Sequence, residues 1–443
     1  MEHELARELN ETLRDTAPGA LLSAMGRRLY FPKGIIAQSA EANQHSALAN
    51  GTLGIAAKHK SPLILSALGE QVPGMSAAEM VSYAPTAGIN ALRETWAAEI
   101  RRKNPSLEKA AFSLPVVTPG LTAGMSALAD LFLDEGQTLA AANPSWDNYA
   151  LIAEARRNAR LRPVDMFTDR GIDMAALKAA LSDEARKTGA VRLLLNFPHN
   201  PTGYSPTREE ARDIRGILRE LAETGAKILV ICDDAYFGLR FEENIEAESL
   251  FAGLAVLHEN VFAAKVDGST KEDFAWGLRC GFLTFGGKNL SAAHYEALIK
   301  KVMAVIRSTV SCSSTVVQNL LQKMYAHGGD TLNKERAAYR DIIEGRYKKV
   351  RAFVDPRKNH PWLQPMPFNS GYFMSFKCNG IDAESLRQKL LFTYGVGTIA
   401  INPQTLRVAF SGLDDEGIDE VYTRIYRAAE ELAGNPDREQ KKS

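Results

Sequence analysis

The sequence predicts an α/β protein, with a large domain on a mostly parallel sheet and a smaller α+β domain. Two patterns carry this expectation. Between about residues 110 and 285, short apolar runs alternate with stretches of helical length. Beyond about residue 288 the pattern is helical for a long stretch, then closes on two more apolar runs and a last helix. A chain of 443 residues is long enough to bury two such cores.

Taken in order, residues 1–50 hold amphipathic pieces broken at Pro18-Gly19 and Pro32-Lys33-Gly34. Strands are expected at Pro115–Thr118, Thr138–Ala142, Val191–Phe197, Lys227–Cys232, Val261–Val266 and Gly281–Phe285, each a short apolar run. Helices are expected between them at 122–133, 147–158, 174–188 and 208–224. The last opens with Thr207-Arg208-Glu209-Glu210, in which hydroxyl and carboxylate cap each other's backbone N–H. Helical spacing then runs from 288 through Ala326 and again from Thr331 to Phe353. Strands at Tyr372–Lys377 and Thr405–Phe410 precede a closing helix from about 415. Residues 51–320 are read as the large domain. Residues 1–50, an N-terminal arm and part of the small domain, join 321–443 to complete the small one.

Composition excludes several classes of function. Lys plus Arg number 53 and Asp plus Glu number 53, so no global field draws the chain to nucleic acid or an anionic membrane. Cys232, Cys280, Cys312 and Cys378 are far apart and form no CxxC pair, which fits reduced thiols and no metal site. The start lacks the basic and apolar regions of a signal peptide, and no apolar stretch approaches the ~20 residues of a membrane span. A cytoplasmic protein with small-molecule partners is expected.

Parallel sheets bind ligands beyond the carboxyl ends of their strands, and the residues with usable chemistry fall there. Asn200-Pro201-Thr202-Gly203 follows Leu193–Phe197, Asp233-Asp234-Ala235-Tyr236 closes Ile228–Cys232, and Lys271 follows Phe262–Val266. A lysine among desolvating neighbours and cations loses proton affinity, which suits a reactive amine. Arg279, between Gly277 and Gly281, offers a planar guanidinium that can bond two oxygens at once. The glycine-rich turn Thr118-Pro119-Gly120-Leu121-Thr122-Ala123-Gly124 leads into a helix whose N-terminus attracts an anion, although it is not a G-x-G-x-x-G turn. Asn143-Pro144-Ser145-Trp146 presents an indole suited to stacking on a flat ring.

Each segment is common alone. In this order they resemble the cofactor pocket of the class I/II aminotransferases, fold type I enzymes that use pyridoxal 5′-phosphate (PLP), and aspartate aminotransferase among them. The resemblance spans about residues 50–413. It implies a mostly parallel seven-stranded sheet sandwiched by helices, and a homodimer with shared active sites. It also implies ping-pong transfer of an amino group from an L-amino acid, aspartate or an aromatic one favoured, to a 2-oxo acid such as 2-oxoglutarate.

The resemblance casts Lys271 as the amine that holds the cofactor's aldehyde. Asp233 becomes the acid on its pyridine nitrogen, since Asp-x-x-Tyr spacing to Tyr236 selects it over Asp234. Tyr236 and Asn200 become donors to its phenolic oxygen. Arg279, Ser269, Thr270, Leu121 and Thr122 fall to the phosphate, joined by Tyr83 of a neighbouring subunit, and Trp146 stacks on the ring. Arg407, in Leu406-Arg407-Val408-Ala409-Phe410-Ser411, matches the arginine for the substrate α-carboxylate, and Arg307 the one for a distal carboxylate. Gly54 and Phe373 align with positions that line the substrate, while His199 is expected to be structural. Three positions depart from aspartate aminotransferase. Gly268 replaces a phosphate-binding serine. Tyr149 replaces a histidine, so the contact to Asp233 is not expected. Cys312-Ser313-Ser314 replaces the Asn-Pro-Pro beyond Arg307. A β-lyase, decarboxylase or cyclopropane-carboxylate synthase would share the same pocket. A PLP-sensing regulator would need a basic DNA-binding module before Tyr83, which the composition there does not provide.

Overall fold

The computed structural model describes residues 4–30, 57–58, 61–62, 74–413 and 415–434. A two-residue ladder, β1 (Ala57–Lys58) against β2 (Ser61–Pro62), precedes the main sheet. That sheet comprises β3 (Val116–Thr118), β4 (Thr138–Ala142), β5 (Arg160–Val164), β6 (Ala190–Asn196), β7 (Lys227–Asp233), β8 (Val261–Asp267) and β9 (Gly281–Gly287). The spatial order of its seven strands is β3-β9-β8-β7-β6-β4-β5. Neighbours from β5 to β8 pair in parallel, and β9 runs against both β8 and β3.

Strands β6, β7 and β8 are buried on both faces, which is why they read as continuous apolar runs. Within this sheet, β5 is the strand that the apolar pattern does not reveal. Its sequence, Arg-Leu-Arg-Pro-Val, occupies a sheet edge, where charges and a proline are tolerated.

Successive residues of a strand face opposite ways, and the core divides accordingly. Leu229 and Ile231 of β7 join Leu128 and Phe132 of the helix Leu121–Phe132 on one face. Ile228 and Val230 join Leu177 and Leu218 of the helices Met174–Thr188 and Arg208–Glu223 on the other. The reciprocal cap between Thr207 and Glu210 is present.

The small domain holds a four-stranded antiparallel sheet, order β10 (Leu363–Pro365), β11 (Met374–Cys378), β13 (Thr405–Val408), β12 (Ile399–Asn402). The helices Ala383–Tyr394 and Ile418–Ala433 pack with it. A long helix, Thr315–Val354, enters this domain and is broken at Gly329, whose φ of 44° and ψ of −132° are not helical. The sequence places this interruption between Ala326 and Thr331.

The described N-terminal residues differ from expectation, because they sit on the large domain. Ser23 N donates to Leu131 O at 2.7 Å, and Ser23 Oγ to Asp130 O at 2.8 Å. Lys301 Nζ, on the large-domain helix Ala292–Thr309, donates to Asn10 Oδ1 at 3.0 Å and Leu29 O at 2.6 Å. The amphipathic pattern shows that this segment needs a partner surface, not which one it takes.

At the carboxyl ends of β7 and β8 lies a buried ion group. Lys265 Nζ pairs with Asp234 and, at 3.2 Å, with Asp267. Ser249 Oγ donates to Asp234 Oδ2 at 2.6 Å, and Trp96 Nε1 donates to Asp267 Oδ1 at 2.9 Å. Burial alone would discharge the lysine, but the two carboxylates outweigh it and hold the ammonium charged. Lys265→Met is expected to destabilise the fold by about 3–5 kcal/mol, because two carboxylates lose their counter-charge. Chemical denaturation checks this, and an unchanged midpoint would refute it.

Candidate active site

Pairing register brings the strand ends together. Asn196 of β6 stands beside Asp233 of β7, which stands beside Val266 of β8. Asn196 Nδ2 donates to Asp233 O at 2.8 Å, while its Oδ1 accepts from Asn200 N at 2.7 Å. One buried amide thus ties the Asn200 turn to the end of β7. The sequence gives no signal for Asn196 beyond a polar residue closing an apolar strand.

Asp233 is 4% exposed. Tyr149 Oη donates to its Oδ2 at 2.6 Å, and Ala235 N donates to its Oδ1 at 3.2 Å. This corrects the expectation that replacing the family's histidine removes the contact, since the phenol reaches the same carboxylate. Burial pushes the Asp233 carboxyl up, opposed by the Tyr149 hydrogen bond and the charge of Lys271. Burial and the neighbouring Asp233 raise the Tyr149 phenol well above its usual value, so the proton stays on tyrosine. Asp234, the competing candidate, is engaged by Lys265 and Ser249 instead.

Lys271 lies in the short turn Ser269–Glu272, with Nζ 4.7 Å from the centre of the Tyr236 ring. Burial lowers the pKa of its ammonium, Asp233 opposes this, and Arg279 adds to it. A lowered value leaves more of the amine unprotonated, as a nucleophile or proton acceptor requires.

The phosphate-binding candidates form a cradle with little side-chain bulk. Arg279 adopts a left-handed backbone, φ 53° and ψ 49°. A Cβ on Gly120 would lie 2.6 Å from Arg279 Nη2, and one on Gly281 would lie 2.7 Å from Gly120 C. A Cβ on Gly268 would meet Cys280 O at 2.7 Å, which explains why no serine stands there. Hydroxyls remain available one and two residues on. Ser269 Oγ and Thr270 Oγ1 are buried with no hydrogen-bond partner within the chain. The helix that begins at Leu121 has no side-chain cap on its N-terminus. Orphaned hydroxyls, an open helix end and a guanidinium fit a phosphate monoester.

A cavity of about 220 Å³ takes in Asn200, Asp233, Tyr236 and Lys271 together with Leu121, Thr122, Thr270 and Arg279, and Trp146 also lines it. Trp146 packs edge-on against Tyr149, 5.3 Å between centroids. Arg407 of β13 meets the cavity wall at Asn200, its Nη1 donating to Asn200 Oδ1 at 2.9 Å and its guanidinium 4.4 Å above the Phe373 ring. Its Nε is buried without a partner, a donor suited to a carboxylate. His199 keeps to a structural part, bonded through Nδ1 to Thr202 Oγ1 at 2.8 Å, with burial pushing its pKa down to about 3.

Two candidates stand apart. Tyr83 is 69% exposed and Arg307 is also exposed, its guanidinium turned to Ser311 of its own helix end. Neither lines this cavity. Gly54 lies outside the described residues.

Known proteins share this arrangement to differing depth. The family model for aminotransferase class I and II matches residues 63–425. The chain is 26% identical over 276 residues to an aspartate aminotransferase of Thermococcus kodakarensis, 62% of this chain and 64% of that protein, so the match spans under two thirds of that relative. It is 25% identical over 327 residues to a methionine aminotransferase of Escherichia coli, 72% and 75% of the two chains. The crystal structure of an aminotransferase from Anaerococcus prevotii has a TM-score of 0.72 at 22% identity, covering 97% of both chains. The α-aminoadipate aminotransferase LysN from Thermus thermophilus, complexed with N-(5′-phosphopyridoxyl)-L-leucine, has a TM-score of 0.64 at 22% identity, covering 98% of this chain and 96% of that one. At such identities the structural likeness concerns the fold. The family match covers most of the sequence, and the cradle fits a pyridoxal phosphate, so the chain belongs to the class I and II aminotransferases, a PLP-dependent family.

Proposed function

We propose that the protein is a PLP-dependent aminotransferase that moves an amino group from an L-amino acid to a 2-oxo acid such as 2-oxoglutarate, in two half-reactions. The observation that carries this reading is a cavity lined by Lys271, Asp233 and Asn200, with Arg407 bonded to that Asn200 and its Nε unpartnered. When bound, PLP supplies an aldehyde for the donor's amine and a protonated ring that accepts the electron pair released at Cα.

The chain's own residues do the rest. Asp233, fixed by Tyr149 and Ala235 N, holds the charge that keeps the ring nitrogen protonated. Tyr236 and Asn200 would donate to the phenolic oxygen, and Trp146 would stack on the ring. Arg279, Ser269, Thr270 and the helix start at Leu121 and Thr122 hold the phosphate. Arg407, backed by the Phe373 ring, would clamp the α-carboxylate and so orient the Cα–H bond. Lys271 Nζ, with its lowered proton affinity, takes the Cα proton and returns it.

The donor is proposed as aspartate or an aromatic amino acid. Relatives named for aspartate and for methionine show that kinship does not choose between side chains. Arg307 is the residue proposed to read a distal carboxylate. Because it and Tyr83 are exposed and away from their own chain's cavity, the proposal includes a homodimer in which each serves the partner's site.

Three outcomes are expected. Lys271→Ala abolishes the attachment of PLP to the chain that borohydride fixes, and glutamate formation from donor plus 2-oxoglutarate; turnover retained in that variant would sink the assignment. Tyr149→Phe weakens PLP binding about tenfold by removing one hydrogen bond to a charged group, read by equilibrium dialysis. Arg307→Leu loses activity on acidic donors and keeps it on neutral ones in a donor panel. Equal loss on both classes would remove Arg307 from the distal-carboxylate role.

A further inference from the structure

The turn behind Lys271 is gripped from an unexpected direction. Asp273, two residues beyond the lysine, has a fully buried carboxylate. Tyr325 Oη donates to its Oδ2 at 2.5 Å, and Arg336 Nε donates to its Oδ1 at 2.6 Å. Arg336 Nη2 also donates to Tyr325 Oη at 3.0 Å, which closes the triangle.

These two partners lie on opposite sides of Gly329, where the long helix breaks. The arm with Tyr325 belongs to the large domain: Asn319 Nδ2 donates to Glu79 O at 2.9 Å, and the Tyr325 ring meets Trp96 edge-on at 5.9 Å. The arm with Arg336 continues into the small domain, where Tyr347, Val350 and Val354 join its core. A carboxylate beside the reactive lysine therefore joins both arms of the helix that links the domains.

The same turn is fastened tightly to Lys271. Asp273 N donates to Ser269 O at 3.0 Å, and Phe274 N donates to Lys271 O at 3.3 Å. Phe274, with φ 54°, places its ring edge-on against Tyr339 of the small-domain arm at 5.0 Å. Tyr372 Oη donates to Lys271 O at 3.3 Å. Glu272 pairs with Lys103 at 2.7 Å, anchoring the turn to the helix Asn90–Lys103.

We propose that Asp273 is a positioning residue for Lys271, tying the lysine's turn to both arms of the broken helix so that the placement of the small domain sets where Nζ stands. Asp273 does not line the cavity and acts through the turn. The proposal rests on Lys271 being the PLP-bearing amine.

The test uses the PLP-loaded protein and the variants Asp273→Ala, Asp273→Asn, Arg336→Met, Tyr325→Phe and Asp273→Ala/Arg336→Met. The readouts are melting temperature, PLP dissociation constant, the pH midpoint of the visible absorbance, and kcat and KM for the amino donor. Asp233, Tyr236 and Arg279 still surround Lys271 in every variant, so a moved midpoint reports its placement. Asp273→Ala and Arg336→Met are each expected to lower kcat about tenfold and to move the midpoint in the same direction, with PLP affinity changed less than about threefold. The double variant is expected to match the worse single one, as residues acting through one link do. Asp273→Asn keeps an acceptor and is expected to recover most of kcat.

Lowered melting temperatures with wild-type kcat and midpoint would reduce the cluster to structural support and overturn the proposal. Multiplying losses in the double variant would overturn it as well. Should Asp273→Ala fail to fold, Arg336→Met and Tyr325→Phe decide the matter: a wild-type midpoint and kcat in both refutes the link, and a shift in either supports it. Failure of the underlying reading is seen separately, as PLP that borohydride still fixes to the chain in Lys271→Ala.

Discussion

Burying the Asp233 carboxylate at the end of β7 costs free energy unless hydrogen bonds and a cation meet it. The chain supplies a phenol from Tyr149, a backbone N–H from Ala235 and the nearby charge of Lys271. Each provision fixes something else. Tyr149 brings Trp146 with it, edge-on at 5.3 Å. Asn196, bonded to the Asp233 carbonyl, carries the Asn200 turn, and Asn200 meets Arg407 from the small domain. Satisfying one buried acid thus assembles most of the cavity wall.

Much of this was legible in the sequence because the site obeys local rules. Asp233, Asn200 and Lys271 follow apolar runs directly, and a parallel sheet presents such residues at one edge. What was hidden depends on distance or on shape. β5 carries its two arginines and proline on an open edge, so no apolar run marks it. Tyr149 was misread because identity was compared where reach decides: a longer phenol makes the bond from the same position. Gly268 was visible as a departure, but its reason, the Cys280 carbonyl 2.7 Å from any Cβ, exists only in three dimensions. Arg336 and Tyr325 lie more than fifty residues from Asp273, beyond any local pattern.

The two charged groupings near the strand ends obey opposite physics. Lys265 with Asp234 and Asp267 is closed, with every charge met inside the protein. The cavity beside Asp233 is open, with Ser269 Oγ, Thr270 Oγ1 and Arg407 Nε unsatisfied. Unpaired buried donors are expensive in a folded protein, and here they mark the places where a phosphate and a carboxylate would complete the structure.

Asp233 and Asp234 are neighbours in sequence yet serve these two different groupings. Side chains alternate along a strand, so shifting β7 by a single position would turn each to the opposite face. Asp234 would leave Lys265 for the side of the cavity, and Asp233 would turn away from Tyr149. The length of β7 from Lys227 to Asp233 is therefore as much a part of the catalytic design as any side chain on it. Substitutions along that strand trade one apolar contact for another, whereas an insertion or deletion of one codon would rewrite the chemistry at its end.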